Sequence, residues 1–213
     1  MMIMAFIITM TAINNNKLIR KSALANSEMD QDILIKRARS DPDAFARLYR
    51  LHYDSVFRYC SHRLFNRQSA EDVTSTVFFK VMAAIKTFKG NAKDFRNWLY
   101  RIATNAVNDH LRSAVKRKEA IRIVSDSIRS DRHVIESDDL SEKKILLKQA
   151  ILSLKPKYQT VITLRFFEKM KLIEIAEVLD QNPTTTRSIL SRALDRLRKK
   201  LKAAAVDNKE VKL

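Results

Sequence analysis

The near absence of glycine constrains the fold of this chain more than any other feature. Among 213 residues there are one glycine, Gly90, and three prolines, whereas an average protein has roughly 7% glycine and 5% proline. Hairpin turns use glycine at positive φ, so an all-β fold is disfavoured. Dinucleotide-binding loops, P-loops and Gly-x-Ser-x-Gly nucleophile elbows each need at least two glycines and are excluded. Because Lys, Arg, Leu, Ala and Ile are abundant, we predict an all-α chain.

The chain is strongly basic. It contains 41 Lys and Arg residues against 24 Asp and Glu residues, which gives a net charge of +17. Such an excess indicates a polyanionic partner, with nucleic acid as the first candidate and an anionic membrane surface as the second. The alternative is a generally basic protein without such a partner, and the distribution of the charges along the chain has to discriminate between these interpretations.

Side chains that could bind a metal are few and scattered. The one cysteine, Cys60, excludes an internal disulfide and a multi-cysteine zinc site, and its apolar and aromatic neighbours favour a place in the core. The histidines at positions 52, 62, 110 and 133 do not form a metal-binding spacing. We therefore predict neither a metal nor another cofactor.

Composition divides the chain into two helical domains and three connecting or terminal segments. Residues 1–13 are uncharged and mostly apolar, but a bilayer span needs about 20 residues, so we predict no stable membrane insertion. We interpret this segment as part of a non-native or loosely packed extension, and an anchor or docking peptide is the alternative. The predicted divisions are a poorly ordered extension at 1–28, a first domain at 29–114, a flexible linker at 115–142, a second domain at 143–203 and a tail at 204–213.

Helical periodicity is clear in the first domain. Asp41 and Pro42 are typical of an N-cap and the first helical position after it. A second helix is predicted to open near Ser69 and to end at Gly90. Its predicted apolar stripe consists of Val73, Val77, Phe78, Val81, Met82, Ile85 and Phe88. In a third helix, the spacing of Phe95 and Trp98 favours core packing over base stacking.

The second domain ends in a pattern typical of a helix-turn-helix. A short apolar helix with Ile175 and Ala176 inward is followed by a break, at which Asn182 is a good N-cap and Pro183 a good first helical residue. The next helix has an inward stripe of Thr186, Leu190, Ala193, Leu194, Leu197 and Leu201. Residues 183–202 include seven basic residues and one acidic residue, as in a helix that enters the major groove. The alternative is the solvent face of an ordinary amphipathic helix.

Four segments together resemble one family. The segment at 175–201, IAEVLDQNPTTTRSILSRALDRLRKKL, resembles region four of sigma factors of the bacterial sigma-70 family, and it is most similar to the extracytoplasmic-function (ECF) type. The segment before it, LKQAILSLKPKYQTVITLRFFEKM, resembles the start of the same region. Region 2.2 is similar to SAEDVTSTVFFKVM, and regions 2.3 and 2.4 are similar to DFRNWLYRIATNAVNDHLR. The resemblance covers about residues 30–202 in the expected order.

The resemblance implies a transcription initiation factor and not an enzyme. Such a protein binds core RNA polymerase, through the clamp helices and the β-flap, and directs it to promoter DNA. Region two would recognise and help to melt the −10 element, and region four would read the −35 element. The ECF type further implies a cytoplasmic bacterial protein that a membrane-linked anti-sigma factor holds inactive.

The family motifs carry over to three sets of residues. The −35 element would be bound by Arg187, Ser188, Ser191, Arg192 and Arg196. The −10 element would be bound by Lys93, Arg96, Arg101, Asn105 and Arg112. Core polymerase would contact Glu71, Asp72, Phe78 and Lys80. These residue types suit the task, because Arg can donate two hydrogen bonds to guanine and cationic side chains bind phosphates.

Several positions depart from the family pattern. Asp180 stands where glycine is usual, Asn182 where proline is usual, and Ile189 where the recognition helix has an arginine. Lys171 replaces a serine, and Ser75-Thr76 replaces a Gln-Glu pair. These changes bear on the preferred −35 sequence and on affinity for the clamp more than on the fold.

Two other classes of protein are compatible with parts of the sequence. A stand-alone helix-turn-helix regulator would bind duplex DNA tightly without polymerase, but it leaves the motif at 69–112 unexplained. An enzyme acting on nucleic acid would need clustered carboxylates, and Glu71-Asp72 is a weak candidate without a second cluster. Initiation by core polymerase at specific sites would discriminate among the three.

Overall fold

The computed structural model describes residues 30–124 and 142–210, with side chains for 30–116 and 145–203. Within these ranges all regular elements are helical, as predicted. The predicted extension at 1–28 and most of the predicted linker lie outside the described residues. The helices are α1 (30–37), α2 (Pro42–Leu64), α3 (Arg67–Ala84), α4 (Ala92–Val124), α5 (Glu142–Leu152), α6 (Pro156–Ile162), α7 (Leu172–Leu179) and α8 (Pro183–Glu210). We refer to α1–α4 as the N-terminal unit and to α5–α8 as the C-terminal unit.

The start of α2 confirms the prediction for Asp41 and Pro42. The Asp41 carboxylate accepts hydrogen bonds from the backbone N–H groups of Asp43, at 2.9 Å, and Ala44, at 3.3 Å. Pro42 occupies the first turn, where its missing N–H costs no hydrogen bond. The helix ends at Phe65, which adopts a left-handed backbone conformation with φ 52°.

The start of α3 differs from the prediction. Asn66, and not Ser69, is the N-cap, because its side-chain oxygen accepts a hydrogen bond from the Ser69 N–H at 2.7 Å. Asparagine and serine are similarly good caps, so the sequence offered two starts three residues apart. The helix ends at Ala84 and passes into a short 3-10 turn, Ile85–Thr87.

Gly90 does not end α3 but precedes α4. It has φ 154°, and a Cβ at this position would lie 2.7 Å from the Asp94 Cβ. The close approach arises because Asn91 and Asp94 cap each other: the Asp94 N–H donates to the Asn91 side chain at 3.0 Å, and the Asn91 N–H donates to the Asp94 carboxylate at 3.1 Å. The only glycine of the chain therefore allows the backbone to approach Asp94 closely at the start of α4.

α4 extends ten residues into the predicted linker, from 115 to Val124. The extension has a local cause, because the sequence from 116 to 120 is Lys-Arg-Lys-Glu-Ala, all of them strong helix formers. Similarly, α8 continues to Glu210, into the predicted tail.

The core of the N-terminal unit lies between α2, α3 and α4. Phe95 is buried and packs against Trp98 with ring centroids 5.6 Å apart, which confirms that both serve the core. Cys60 is also buried, as predicted, and burial raises the pKa of its thiol to about 11. Met82 is an exception to the predicted stripe, because 51% of it is exposed.

The core of the C-terminal unit lies between α6, α7 and α8. α6 begins at Pro156, where the sequence predicts a break, and continues as a wider π-helical turn, Thr163–Phe167. Its buried side chains include Tyr158, Val161 and Leu164. They pack with buried residues of α7 and α8 in the same hydrophobic cluster.

Two adjacent phenylalanines provide a test of the core. Phe78 is 5% exposed and packs on Tyr49 with ring centroids 4.6 Å apart, whereas Phe79 is 68% exposed. We expect Phe78→Ala to lower the free energy of unfolding by about 3–5 kcal/mol, because it leaves a cavity. Phe79→Ala should change it by no more than about 0.5 kcal/mol. Equilibrium urea unfolding followed by circular dichroism measures both, and equal losses would contradict this assignment.

Candidate nucleic-acid interface

α7 and α8 form a helix-turn-helix whose turn is built without glycine. Asp180 ends α7 in the left-handed conformation, with φ 53° and ψ 50°. Asn182 then caps α8, since its side-chain oxygen accepts a hydrogen bond from the Thr185 N–H at 2.6 Å. At the start of α7 the Glu174 carboxylate accepts from the Lys171 N–H at 2.6 Å, so the helix is capped although Lys171 replaces a serine. The two unusual turn residues are therefore compatible with the predicted geometry.

The inner face of α8 is broader than predicted. Thr186, Ala193 and Leu197 are buried, while the other three members of the predicted stripe, at 190, 194 and 201, are half-buried. Ile189 is buried as well and belongs to the core. The spacing of four residues from Ile189 to Ala193 and again to Leu197 could have revealed this. Ile189 therefore contributes to packing in place of the charged side chain that the family pattern has here.

The outer face of α8 is exposed and basic. It presents the predicted −35 residues, all exposed: Arg187, Ser188, Ser191, Arg192 and Arg196. The Arg196 guanidinium lies over the Tyr158 ring, 5.3 Å from its centroid. The one acidic side chain on this stretch, Asp195, is bound to Arg198 at 2.9 Å. Positive charge at the surface of a helix-turn-helix helix suits contact with phosphates and base edges.

The predicted −10 residues on α4 fall into two groups. Lys93, Asn105 and Arg112 are exposed, and Arg112 binds Asp109 at 2.8 Å. Arg96 and Arg101 are half-buried, and both donate hydrogen bonds to backbone carbonyls of the C-terminal unit. The structure thus brings all five side chains onto one helix but leaves only three of them facing solvent.

The predicted polymerase-binding residues all lie on α3, and three of the four are on its exposed face. Glu71, Asp72 and Lys80 are exposed; Glu71 binds Arg67 at 2.9 Å and Lys80 lies 3.8 Å from Asp109. The prediction for Phe78 is corrected by its burial, since a ring inside the core cannot also form a docking surface.

The exposed apolar side chains of α3 are Phe79 and Met82, which sequence reasoning missed. A helix turns by about 100° per residue, so Phe79 lies about 160° from the centre of the arc defined by Val73, Val77 and Val81. Only one of two adjacent phenylalanines can face the core, and this geometry could have identified Phe79 as the exposed one.

Within the part of the chain that the structure describes, His, Cys, Asp and Glu side chains do not form any group of three that could hold a metal ion. In the same residues, helices with the length and apolar content needed to cross a bilayer are absent. The described surface is instead characterised by its basic and apolar patches.

The two helical units, with an exposed basic recognition helix in one of them, define the chain as a helix-turn-helix DNA-binding protein. Comparison with known proteins identifies the family. Residues 48–117 match the family model for Sigma-70 region 2, and residues 144–197 match Sigma-70, region 4.

Two relatives are similar over most of this chain. The ECF RNA polymerase sigma factor SigW of Bacillus subtilis is 33% identical over 177 residues, which cover 77% of this chain and 92% of SigW. The ECF RNA polymerase sigma factor BldN of Streptomyces coelicolor is 34% identical over 163 residues, which cover 76% of this chain but only 62% of BldN. The chain belongs to the sigma-70 family of RNA polymerase sigma factors, and within it to the ECF type.

Solved structures share the fold. CnrH, in complex with the cytosolic domain of CnrY, superimposes with a TM-score of 0.58 at 22% identity, over 81% of this chain and 97% of CnrH. The sigma factor RpoE of Bartonella quintana, in complex with the anti-sigma factor NepR, gives a TM-score of 0.56 at 20% identity, over 74% of this chain and 96% of RpoE.

The contribution of the Asn182 cap to stability can be measured against a substitution at the neighbouring Gln181. Asn182→Ala removes the acceptor for the Thr185 N–H, so we expect the free energy of unfolding to fall by about 0.5–2 kcal/mol. Gln181→Ala, at an exposed position without a side-chain hydrogen bond to the backbone in the described structure, should change it by less than about 0.5 kcal/mol. Thermal unfolding of both variants measures the difference. A similar loss of stability in Gln181→Ala would contradict the assignment of Asn182 as the stabilising cap.

Proposed function

We propose that this chain binds core RNA polymerase and directs it to promoters, acting as a recognition subunit and not as an enzyme. The observation that carries the proposal is the presence in one chain of both sigma-70 regions, each with an exposed polar face. A stand-alone regulator needs only the second of them. The proposed divisions are region two at 29–114, a linker at 115–142 and region four at 143–203.

Region four would read the −35 element with the outer face of α8. Arg187 and Arg192 are five residues apart, which is about 140° around the helix, so both cannot point straight into the groove. Ser188 and Ser191 lie between them and would face the base edges. The two arginines would flank them and reach bases or phosphates, and Arg196 would be steadied by the Tyr158 ring beneath it.

Region two would bind the −10 element along α4. Lys93 and Arg112 would attract the phosphates, and Asn105 would contact an unstacked base. Arg96 and Arg101 would join them once their bonds to the C-terminal unit are released. The exposure of the first three residues supports this assignment.

Core polymerase would be bound by region two through the exposed face of α3 and by region four through its contact with the β-flap. For the clamp helices we propose Glu71, Asp72 and Lys80 with Phe79 and Met82, which replace Phe78. An apolar pair rimmed by charged side chains is typical of a protein-binding surface.

The regulatory partner would be an anti-sigma factor in the bacterial cytoplasm. The structures of CnrH and RpoE described above are both complexes, and the partner of RpoE is named as an anti-sigma factor. This supports an equivalent partner for the present chain, with the DNA- and polymerase-binding surfaces as its targets.

Reconstituted transcription tests the proposal. Run-off transcription with bacterial core polymerase on genomic fragments should give discrete start sites only when the chain is added. Core alone and core with a housekeeping sigma factor are the controls. Tight, sequence-specific duplex binding by the free chain without any effect on initiation would instead favour a stand-alone regulator.

Substitutions at two basic residues of α8 should affect promoter binding in different ways. We expect Arg192→Ala to cost about 1–3 kcal/mol in promoter binding and to relax preference at one −35 position, as the loss of a base contact does. Lys199→Ala should weaken all promoters alike and lower the slope of log K against log salt by about one. Holoenzyme binding to single-base −35 variants over a range of salt measures both. If Arg192→Ala changes only the salt slope, Arg192 is a phosphate contact.

A further inference from the structure

The apolar segment at residues 1–13 is the one sequence feature that the proposed function does not use. The segment, MMIMAFIITMTAI, contains no charged residue, although the chain as a whole has a net charge of +17. It precedes the first family match, which begins at residue 48, and it lies outside the described residues. Burial against apolar surface stabilises such a segment, because its side chains leave water. An apolar surface is therefore the kind of partner that fits it.

α2 and α3 present such a surface, which we call the α3 patch. It consists of Phe79, 68% exposed, Met82, 51% exposed, and Tyr49, 37% exposed. Around α3, Met82 and Phe79 lie about 40° and 100° from Phe78, and the Tyr49 ring packs on Phe78 with centroids 4.6 Å apart. The three side chains are therefore neighbours, and together they expose roughly 300 Å², which is enough to mark an interaction site.

Exposed apolar side chains cluster at the α3 patch and are scattered elsewhere. In the remainder of the described ranges, large exposed apolar side chains occur one to a helix, at Ile33, Leu51, Val115, Leu152 and Ile173. Single exposed apolar residues are normal on a protein surface. The clustering distinguishes the α3 patch from them as a surface that an apolar segment could cover.

The chain enters the described structure in the same unit that carries the patch. Asp32, in the first turn of α1, accepts a hydrogen bond from the Ala92 N–H at 2.5 Å, so α1 begins beside the start of α4. Residues 14–29 connect the apolar segment to α1, and 16 residues span at most about 55 Å. The whole of α3, with 18 residues, is about 27 Å long. The connection is therefore long enough for residues 1–13 to reach the patch.

We infer that residues 1–13 dock on the α3 patch of their own chain and compete there with core polymerase. The inference rests on the proposed function of α3 in binding the clamp helices. A short tether gives an effective concentration of about 1 mM, so even a contact with a Kd of about 0.5 mM is two-thirds occupied. Weak docking is therefore sufficient, and a tighter-binding polymerase displaces the segment.

Docking at the α3 patch would act on polymerase binding and leave the proposed DNA contacts free. The exposed −10 residues Lys93 and Asn105 lie on α4, and the −35 residues, including Arg192, lie on α8. The apolar segment would therefore lower the affinity of the free chain for core polymerase without changing the promoter sequence that the holoenzyme prefers.

Two pairs of variants isolate the contact. Phe79→Ser removes the centre of the patch, and Val115→Ser is its control, because Val115 is 67% exposed and lies on α4. Ile7→Glu places a charge inside the apolar segment, and Asn15→Glu places the same charge two residues beyond its end. Phe79 is also proposed for the clamp, so Phe79→Ser serves only to measure docking.

The methionine methyl groups report docking directly. Four of the seven methionines lie in the segment, at positions 1, 2, 4 and 10. A nitroxide on Ala83→Cys, at an exposed position one turn beyond Phe79, broadens the NMR signals of methyl groups close to it, and buried Cys60 does not take the label. We expect broadening of the four methyl signals in the parent chain and with Val115→Ser. It should be much weaker with Phe79→Ser and with Ile7→Glu.

The same experiment discriminates between possible partners of the segment. Equal broadening in the parent chain and in Phe79→Ser would contradict docking on the patch. Broadening in a mixture of nitroxide-labelled chains and methyl-labelled chains would show that the segment docks on a second copy instead. Weak broadening in the parent chain together with binding to phosphatidylglycerol vesicles would assign the segment to a membrane surface and overturn the inference.

Affinity for core polymerase measures the competition. If two-thirds of the free chain is docked, release of the segment raises the apparent affinity about threefold. We expect this gain for Ile7→Glu and for a chain from which residues 2–13 are deleted, and none for Asn15→Glu. Titration of core polymerase against each fluorescent chain measures it. Docking without any gain on its release, or an equal gain in Asn15→Glu, would contradict competition at the patch.

Run-off transcription separates this inference from the proposed function. With saturating core polymerase, Ile7→Glu and the parent chain should initiate at the same sites, because the segment is displaced in the holoenzyme. Absence of specific starts with both chains would contradict the proposed function. Specific starts with both chains, together with methyl signals that the nitroxide does not broaden, would contradict the docking of residues 1–13 alone.

Discussion

The need to end and restart helices almost without glycine shapes the whole molecule. Asp41, Asn66, Asn91 and Asn182 cap four helices with their side chains. Among the described residues, the left-handed positions that glycine usually fills are occupied by Phe65, Lys169 and Asp180, at about 1–2 kcal/mol each. These junctions set the direction of every following helix. The angle between α7 and α8, and with it the exposed basic face, depends on two such residues, Asp180 and Asn182.

α4 contributes both to the core of the N-terminal unit and to the contact with the C-terminal unit. One side of this helix supplies core residues such as Phe95 and Leu99, while other positions carry the side chains proposed for the −10 element. Arg96, Asn97, Tyr100 and Arg101 of the same helix also form the contact with the C-terminal unit. The core of the N-terminal unit, the contact with the C-terminal unit and the residues proposed for the −10 element therefore share one helix, and substitutions in it will rarely affect only one of them.

Local patterns made much of this structure predictable. The helix-turn-helix, the caps at Asp41 and Asn182 and the burial of Cys60 follow from spacing and side-chain chemistry within a few residues. The choice of Asn66 over Ser69 was not predictable in this way, because both are good caps. Phe78 and Phe79 could have been told apart by helical angle. The hydrogen bonds between the units join residues 68 to 96 positions apart, and periodicity contains no information about such pairs. The roles of the site residues stay predictions.

The burial of Cys60 has a consequence for how such a protein can receive signals. With a thiol pKa of about 11, roughly one molecule in ten thousand carries the reactive thiolate at neutral pH. Cys60 is also the only cysteine in the sequence, so a second thiol with which it could form a disulfide inside the chain is missing. An oxidant in solution therefore meets a thiol that is buried and almost fully protonated. A signal that depends on oxidation of Cys60 would first require the helices around it to open.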